Sequence, residues 1–324
     1  MPSPLEQLSA GALDWLGRNL DHFDPFSASA RTATHGKAKA ALELALLCHR
    51  AARPTDAPDP LAGATALVRK LWQDPDFPRL FDEVPAYAST YRLIYAALAP
   101  DGIDDAQCRA GLALLDPEFL SPHGKSPYQR IEVRYYADKA GVRHGIEPYA
   151  ELLPRSPLVA FRAAGPPESP EDHASGSGSG SGEPAPESVE PLTTPRAYAL
   201  THTAFYLGDF GRTDPAVAGD DLDHARELVR RSLLHCVAHD RWDLAAELVL
   251  TQFILGSDPL RTPAGAAAVD CLVRAQRPDG AIPARSAALM GPPSAPPGAF
   301  FRKAYHTTLV TALMASVVSS SVPS

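Results

Sequence analysis

The sequence predicts an all-α protein, an (α/α)6 barrel or toroid of about six helical hairpins, because two helical patterns alternate along it. One pattern carries a single apolar stripe. The other opens with polar and aromatic residues and then turns apolar on nearly every side. Ser9 to Leu16 is followed by Thr34-His35-Gly36-Lys37 running into Ala40–Leu47, and Ala266–Leu272 is followed by Tyr305-His306-Thr307-Thr308 running into Leu309–Val318. A helix that needs one stripe lies outside; a helix apolar all round is buried between neighbours. Outer and inner members of this kind fit two concentric rings, with an irregular bundle or an α-solenoid as the alternative.

The elements follow in order. Leu5, Leu8, Ala12, Leu13, Trp15, Leu16 and Leu20 recur at helical spacing and predict a helix over 4–22, ended by Pro25. The spacing predicts an inner helix over 34–51, then a break at Pro54, Pro58 and Pro60. The next pairs are 60–82 with 86–99, and 103–115 with 127–140. In the last of these, Ile131, Val133 and Tyr135 alternate as in a short strand, but the context favours helix. A short helix is expected over 147–153. An inner-type helix follows at 195–210, then an amphipathic one at 222–237, a largely apolar one at 240–250, and a final pair at 263–276 and 302–318.

Residues 165–194 contain Ser-Gly repeats flanked by acids and prolines, a composition that buries little and reads as a flexible insertion. Helix pairing resumes after it, which favours a single domain over 1–324 interrupted by a loop, rather than two linked domains. The segment 277–302 is a second long, Gly/Pro-rich connection, of the kind that is often functional.

Composition excludes several functions. Net charge is −8 and there is no basic stripe, which argues against nucleic-acid binding. No run of eighteen apolar residues exists, so no membrane span is expected. The N-terminus lacks the basic and apolar regions of a signal peptide. Four cysteines, at 48, 108, 236 and 271, sit in apolar helical stretches with no Cys-x-x-Cys, which suits core thiols and a cytoplasmic setting. Abundant Ala, Pro and Arg with few Lys point to a GC-rich coding source.

If the inner helices all start at one mouth, their polar openings converge there. His306 is a candidate general base or metal ligand, since imidazole titrates near neutrality and binds divalent metals. His202 lies inside an inner helix, facing either the hollow or a satisfied core. Asp243 and Glu247 are spaced i, i+4 on one face, where two carboxylates can do acid–base work; alternatively Asp243 only answers the helix dipole. Tyr87, Tyr91, Tyr135, Tyr198, Trp242 and Tyr305 are the candidate lining of a substrate pocket. Arg130, with Glu132 and Arg134, either grips an anion or forms a surface ion-pair patch. His235 and His239 have metal-ligand spacing but end an amphipathic helix, where cations favour the dipole. No P-loop, Gly-x-Gly-x-x-Gly or Gly-x-Ser-x-Gly occurs.

The C-terminal third resembles the α/α-toroid superfamily of terpenoid cyclases and protein prenyltransferase β-subunits. Gln276-Arg277-Pro278-Asp279-Gly280-Ala281-Ile282 resembles the Gln-x-x-Asp-Gly-aromatic turn of that superfamily, with Ile282 in the aromatic place. Tyr305-His306-Thr307 resembles the start of its final inner helix. The resemblance implies a zinc ligand at His306 and a second at Asp243. Ala245 stands where the expected cysteine ligand would be, and His35 is the candidate replacement. The Asp-x-Asp-Asp motif of one cyclase class is absent; Asp220-Asp221-Leu222-Asp223 has another order and opens an outer helix. The reading is therefore an enzyme acting on a small or lipophilic molecule as a cyclase, lyase or isomerase, with zinc as its candidate cofactor. The competing reading is a ligand-binding or scaffold protein that uses the barrel mouth without turnover.

Overall fold

The computed structural model describes residues 2–28, 37–51, 59–162, 190–285 and 297–320. His35 and residues 165–189 of the expected insertion lie outside them. Among the described residues the chain is all-helical, with no strand. In chain order the helices are α1 (Pro4–Arg18), α2 (Leu20–Phe23), α3 (Lys37–Ala51), α4 (Ala62–Gln73), α5 (Ala88–Ala97), α6 (Ala106–Ala113) and α7 (Pro127–Lys139). They continue as α8 (Tyr149–Leu152), α9 (Pro157–Ala160), α10 (Thr194–Leu207), α11 (Gly219–Ala238), α12 (Trp242–Ile254), α13 (Pro263–Ala275) and α14 (Pro297–Ser320).

Local chemistry explains the boundaries. Ser3 accepts a hydrogen bond from the Glu6 amide, Glu6 answers on the Ser3 amide, and Pro4 presets the first turn. Ser126, Pro127 and Gln129 repeat the device at α7. That box decides residues 127–140 for helix over strand. The helix predicted over 60–82 stops at Gln73, because Asp74 precedes a proline and is biased away from the α region. The end of the expected insertion is ordered: Leu192 is buried, Glu190 pairs with Arg241, and α10 starts at Thr194.

Burial separates two kinds of helix. In α1 the buried residues are Leu5, Leu8, Ala12, Trp15 and Leu16, a single stripe. In α12 every residue from Asp243 to Gln252 is buried. The second kind packs in sequence: α3 on α5, α5 on α7, α7 on α10, α10 on α12, α12 on α14, and α14 back on α3. The first kind covers them, with α1 against α14, α13 and α4, α4 against α3, α6 against α5, and α11 against α12 and α13.

The Gln276–Gly280 turn fastens the C-terminal region to the first helix. The Gln276 amide group donates to the Leu8 carbonyl (3.1 Å) and Arg18 to the Asp279 carbonyl (2.7 Å). Gly280 has φ +87°, and a Cβ there would lie 2.0 Å from the Gly11 carbonyl oxygen. Only glycine meets both demands.

Candidate active site

The amino-terminal halves of α3, α12 and α14, with the middle of α10, bring six ionisable side chains together. At the centre is Glu247, buried on the second turn of α12. Its Oε1 lies 3.6 Å from His202 Nε2 and 3.7 Å from His306 Nε2. Its Oε2 accepts from the Thr201 hydroxyl (2.5 Å). Asp243, one turn earlier on the same face, lies 3.6 Å from His306 Nε2 and accepts from Tyr198 (2.5 Å) and Thr307 (3.0 Å). On the other side of the ring, His306 Nδ1 faces Glu43 Oε1 at 3.3 Å, and Lys39 pairs with Glu43 at 2.9 Å. His202 is held from behind by the Tyr128 hydroxyl, 3.1 Å from Nδ1.

These neighbours fix the charges. Burial opposes ionisation of Glu43, but His306 and Lys39 outweigh it and bring its pKa down to about 2. Burial likewise opposes Glu247, and the two imidazoles bring it down to about 2. His306 is resisted by burial, yet Glu43, Asp243 and Glu247 raise it well above the usual histidine value. His202 is raised in the same way by Glu247 and Glu132. Glu132, which accepts from Tyr206 (3.0 Å), is instead raised by burial. The cluster thus holds two ionised glutamates, two imidazoles biased toward their protonated form and one carboxyl biased toward its neutral form. Environments that push like groups apart are those that divide acid from base.

An open cavity of about 270 Å³ reaches this cluster from outside, lined by His306, Thr307 and Asp243. Glu247 and His202 lie behind these. Asp243 Oδ1, Glu247 Oε1 and His306 Nε2 converge closely enough to bind one metal ion.

The other candidates divide. Tyr198 joins the cluster through Asp243. Tyr305 and Tyr91 lie beside Lys39 and Glu43. Tyr87 is 56 % exposed and reaches no further than a stack on Tyr91, 5.9 Å between centroids. Arg130 does not line the cavity: it is spent on Glu147 (2.6 Å) and on the Lys125 carbonyl (3.0 Å). Tyr135 sits two turns too far along α7, where its hydroxyl meets Arg50 and donates to Asp209 (2.8 Å). Trp242 faces the Cys271 thiol on α13. His235 and His239 stack on each other, and the His239 ring bonds the His235 carbonyl (2.8 Å). Glu43, Lys39 and Tyr128 were not foreseen. The available signal for Glu43 was a lone acid inside the apolar run Ala40–Leu47.

Residues 9–316 match the family described as Domain of unknown function (DUF6895). The chain belongs to that family. No curated protein matches it.

Proposed function

We propose that this protein is an enzyme performing acid–base chemistry on a small organic molecule inside an (α/α)6 toroid. The circuit of packings from α3 through α14 and back to α3 supports the toroid. One observation carries the activity: two histidines from different helices share one buried carboxylate oxygen, at 3.6 and 3.7 Å, beneath an open cavity. Buried charges of this kind add little to stability, and they cluster where chemistry is done. His306 and Asp243 face the cavity. His306, kept protonated by Glu43 and Glu247, is the proton donor. Asp243, oriented by Tyr198 and Thr307, is the acceptor. Glu247 and His202 hold the charge of the pair from behind. Donor and acceptor 3.6 Å apart serve a lyase, isomerase or cyclase, where one proton is added and another removed.

The test is a turnover screen of pooled small organic compounds with wild type, His306→Gln and Asp243→Asn. A compound consumed by wild type should be lost by either variant at about 10²-fold lower rate or worse. A compound turned over equally by all three would place the chemistry elsewhere, and a ligand bound but never changed would favour the binding-protein reading.

A second reading rests on the spacing. Separations of 3.6 and 3.7 Å are too long for hydrogen bonds, yet close to the edge of a tetrahedron of ligands about 2.0–2.1 Å from zinc, which is about 3.3 Å. Asp243, Glu247 and His306 would hold such an ion, and Glu43 behind His306 Nδ1 would orient the metal-bound imidazole. The third ligand would then come from Glu247 rather than His35. Bound zinc would supply Lewis acidity. Elemental analysis of the purified protein decides: stoichiometric zinc, lost in Glu247→Gln, supports this reading, and zinc retained in that variant removes it.

A further inference from the structure

The cavity above His306 has a rim of one sign. Besides Asp243, His306 and Thr307 it is lined by Arg285, Arg302 and Lys303. Asp243 is the one carboxylate among the lining residues, and its oxygens already accept from Tyr198 and Thr307. Arg285 and Arg302 are exposed and have no ion-pair partner among the described residues.

Their placement is built into the fold. The chain after the Gln276–Gly280 turn runs back along the first turns of α14 and is pinned there. The Ile282 amide donates to the Thr308 hydroxyl (2.9 Å), Thr308 is 3.3 Å from the Ile282 carbonyl, and the Ala284 amide donates to the Lys303 carbonyl (3.1 Å). These bonds bring Arg285, from the loop, to the same opening as Arg302, from the helix. Two guanidinium forks over one opening are suited to the planar or tetrahedral oxygens of an oxyanion. The cavity, about 270 Å³ and open to the outside, has room for a small anionic group between the arginines and His306.

We infer that Arg285 and Arg302 form an oxyanion subsite, which holds the carboxylate or phosphate of a small acidic substrate with its remaining atoms directed at His306 and Asp243. The assignment rests on the acid–base reading for what happens to the ligand, but not for the binding itself. Its chemistry calls for no bond making: the anion is held by charge-assisted hydrogen bonds while the reacting carbon skeleton lies deeper.

Calorimetry and thermal shift with inorganic phosphate, succinate and the uncharged 1,4-butanediol test it. Wild type, Arg285→Gln/Arg302→Gln and Asp243→Asn are compared. Phosphate or succinate should bind wild type and raise its melting temperature, and butanediol should do neither. The arginine double variant should bind that anion about tenfold more weakly or worse, the scale of losing charged hydrogen bonds. Asp243→Asn should bind as tightly as wild type or more so, since a repelling charge is gone. Succinate alone would identify a carboxylate ligand, phosphate alone a phosphate ester. Equal anion binding by wild type and the double variant, or no saturable binding of either anion by wild type, would overturn the subsite. Anion binding that survives in Asp243→Asn without any turnover by wild type would instead keep the subsite and fail the acid–base reading.

Discussion

The two ends of the helices that pack in a circuit from α3 to α14 use the same residue types to opposite effect. At the carboxy-terminal end, Asp209 takes Arg50 at 2.6 Å, Lys139 at 3.0 Å and Tyr135 at 2.8 Å. Phe210, in a left-handed conformation at φ 55°, lies under the Arg50 guanidinium at 4.9 Å. Each polar contact to Asp209 is at hydrogen-bonding distance, and the Arg50 side chain is 1 % exposed. At the amino-terminal end the ionic contacts of His202 and His306 are 3.3–3.7 Å, and the cluster opens to a cavity. One end is a closed lock. The other is a set of charges held near each other but not saturated, which leaves donor and acceptor capacity for something else. The histidines register the difference: His306 is raised by its carboxylates, whereas His49, beside Arg50, is pushed down to about 4 by burial and then by Arg50, Lys139 and Arg212.

The largest expected effect comes from unlocking the closed end. Asp209→Ala strands a buried guanidinium, and breaking such a pair costs about 3–5 kcal/mol. Denaturant unfolding should show that loss with little change between pH 5.5 and 8.5, since arginine stays charged throughout. A loss below about 1 kcal/mol would mean that water reaches Arg50 and that the two ends do not differ as described.

The open end should be pH-dependent instead. The raised pKa values of His306 and His202 give stability that is full below the unfolded value near 6.5 and is lost as pH rises through the folded values. Glu43 and Glu247, lowered to about 2, give stability that is present above the unfolded value near 4.5 and is lost as pH falls toward 2. This cluster therefore stabilises most between about pH 4.5 and 6.5. The melting temperature of wild type should fall from pH 6 to pH 9, and His306→Gln should flatten that slope. Glu247→Gln should cost more at pH 5.5 than at 8.5. Parallel curves for wild type and His306→Gln would show that the imidazole titrates as if free.

What was legible in the sequence follows from how far each partner lies along the chain. The all-α class came from periodicity alone, and the i, i+4 pair Asp243 and Glu247 was visible as two acids in an apolar helix. Their partner His306 stood out as a polar opening to an apolar helix. Glu43 did not, because it lies beyond the first turn of α3 within an apolar run, and its meaning depends on α3 packing against α14. For Arg130 the ion-pair alternative holds, but with Glu147 in place of Glu132, because Glu147 belongs to the connection before α8, whose path no local pattern fixes. Tyr135 is buried on α7, but on the half that faces Asp209. Register along a helix is set by tertiary contacts, and the sequence carries it only weakly.

The smallest expected effect isolates the contrast in a single side chain. His49 has a depressed pKa, so it folds neutral, and its contribution is present above the unfolded value near 6.5 and lost as pH falls through about 4. That is opposite in sign to His306 over the same range. His49→Gln should therefore track wild type above pH 7 and exceed it in melting temperature below pH 5, whereas His306→Gln should fall below wild type at pH 5.5 and converge on it at pH 9. The cause is the charge that surrounds each imidazole: guanidinium and ammonium groups at one end, carboxylates at the other. If both variants moved the acid limb in the same direction, the opposed electrostatics of the two ends would be wrong, and with it the reason for assigning the proton donor to the amino-terminal one.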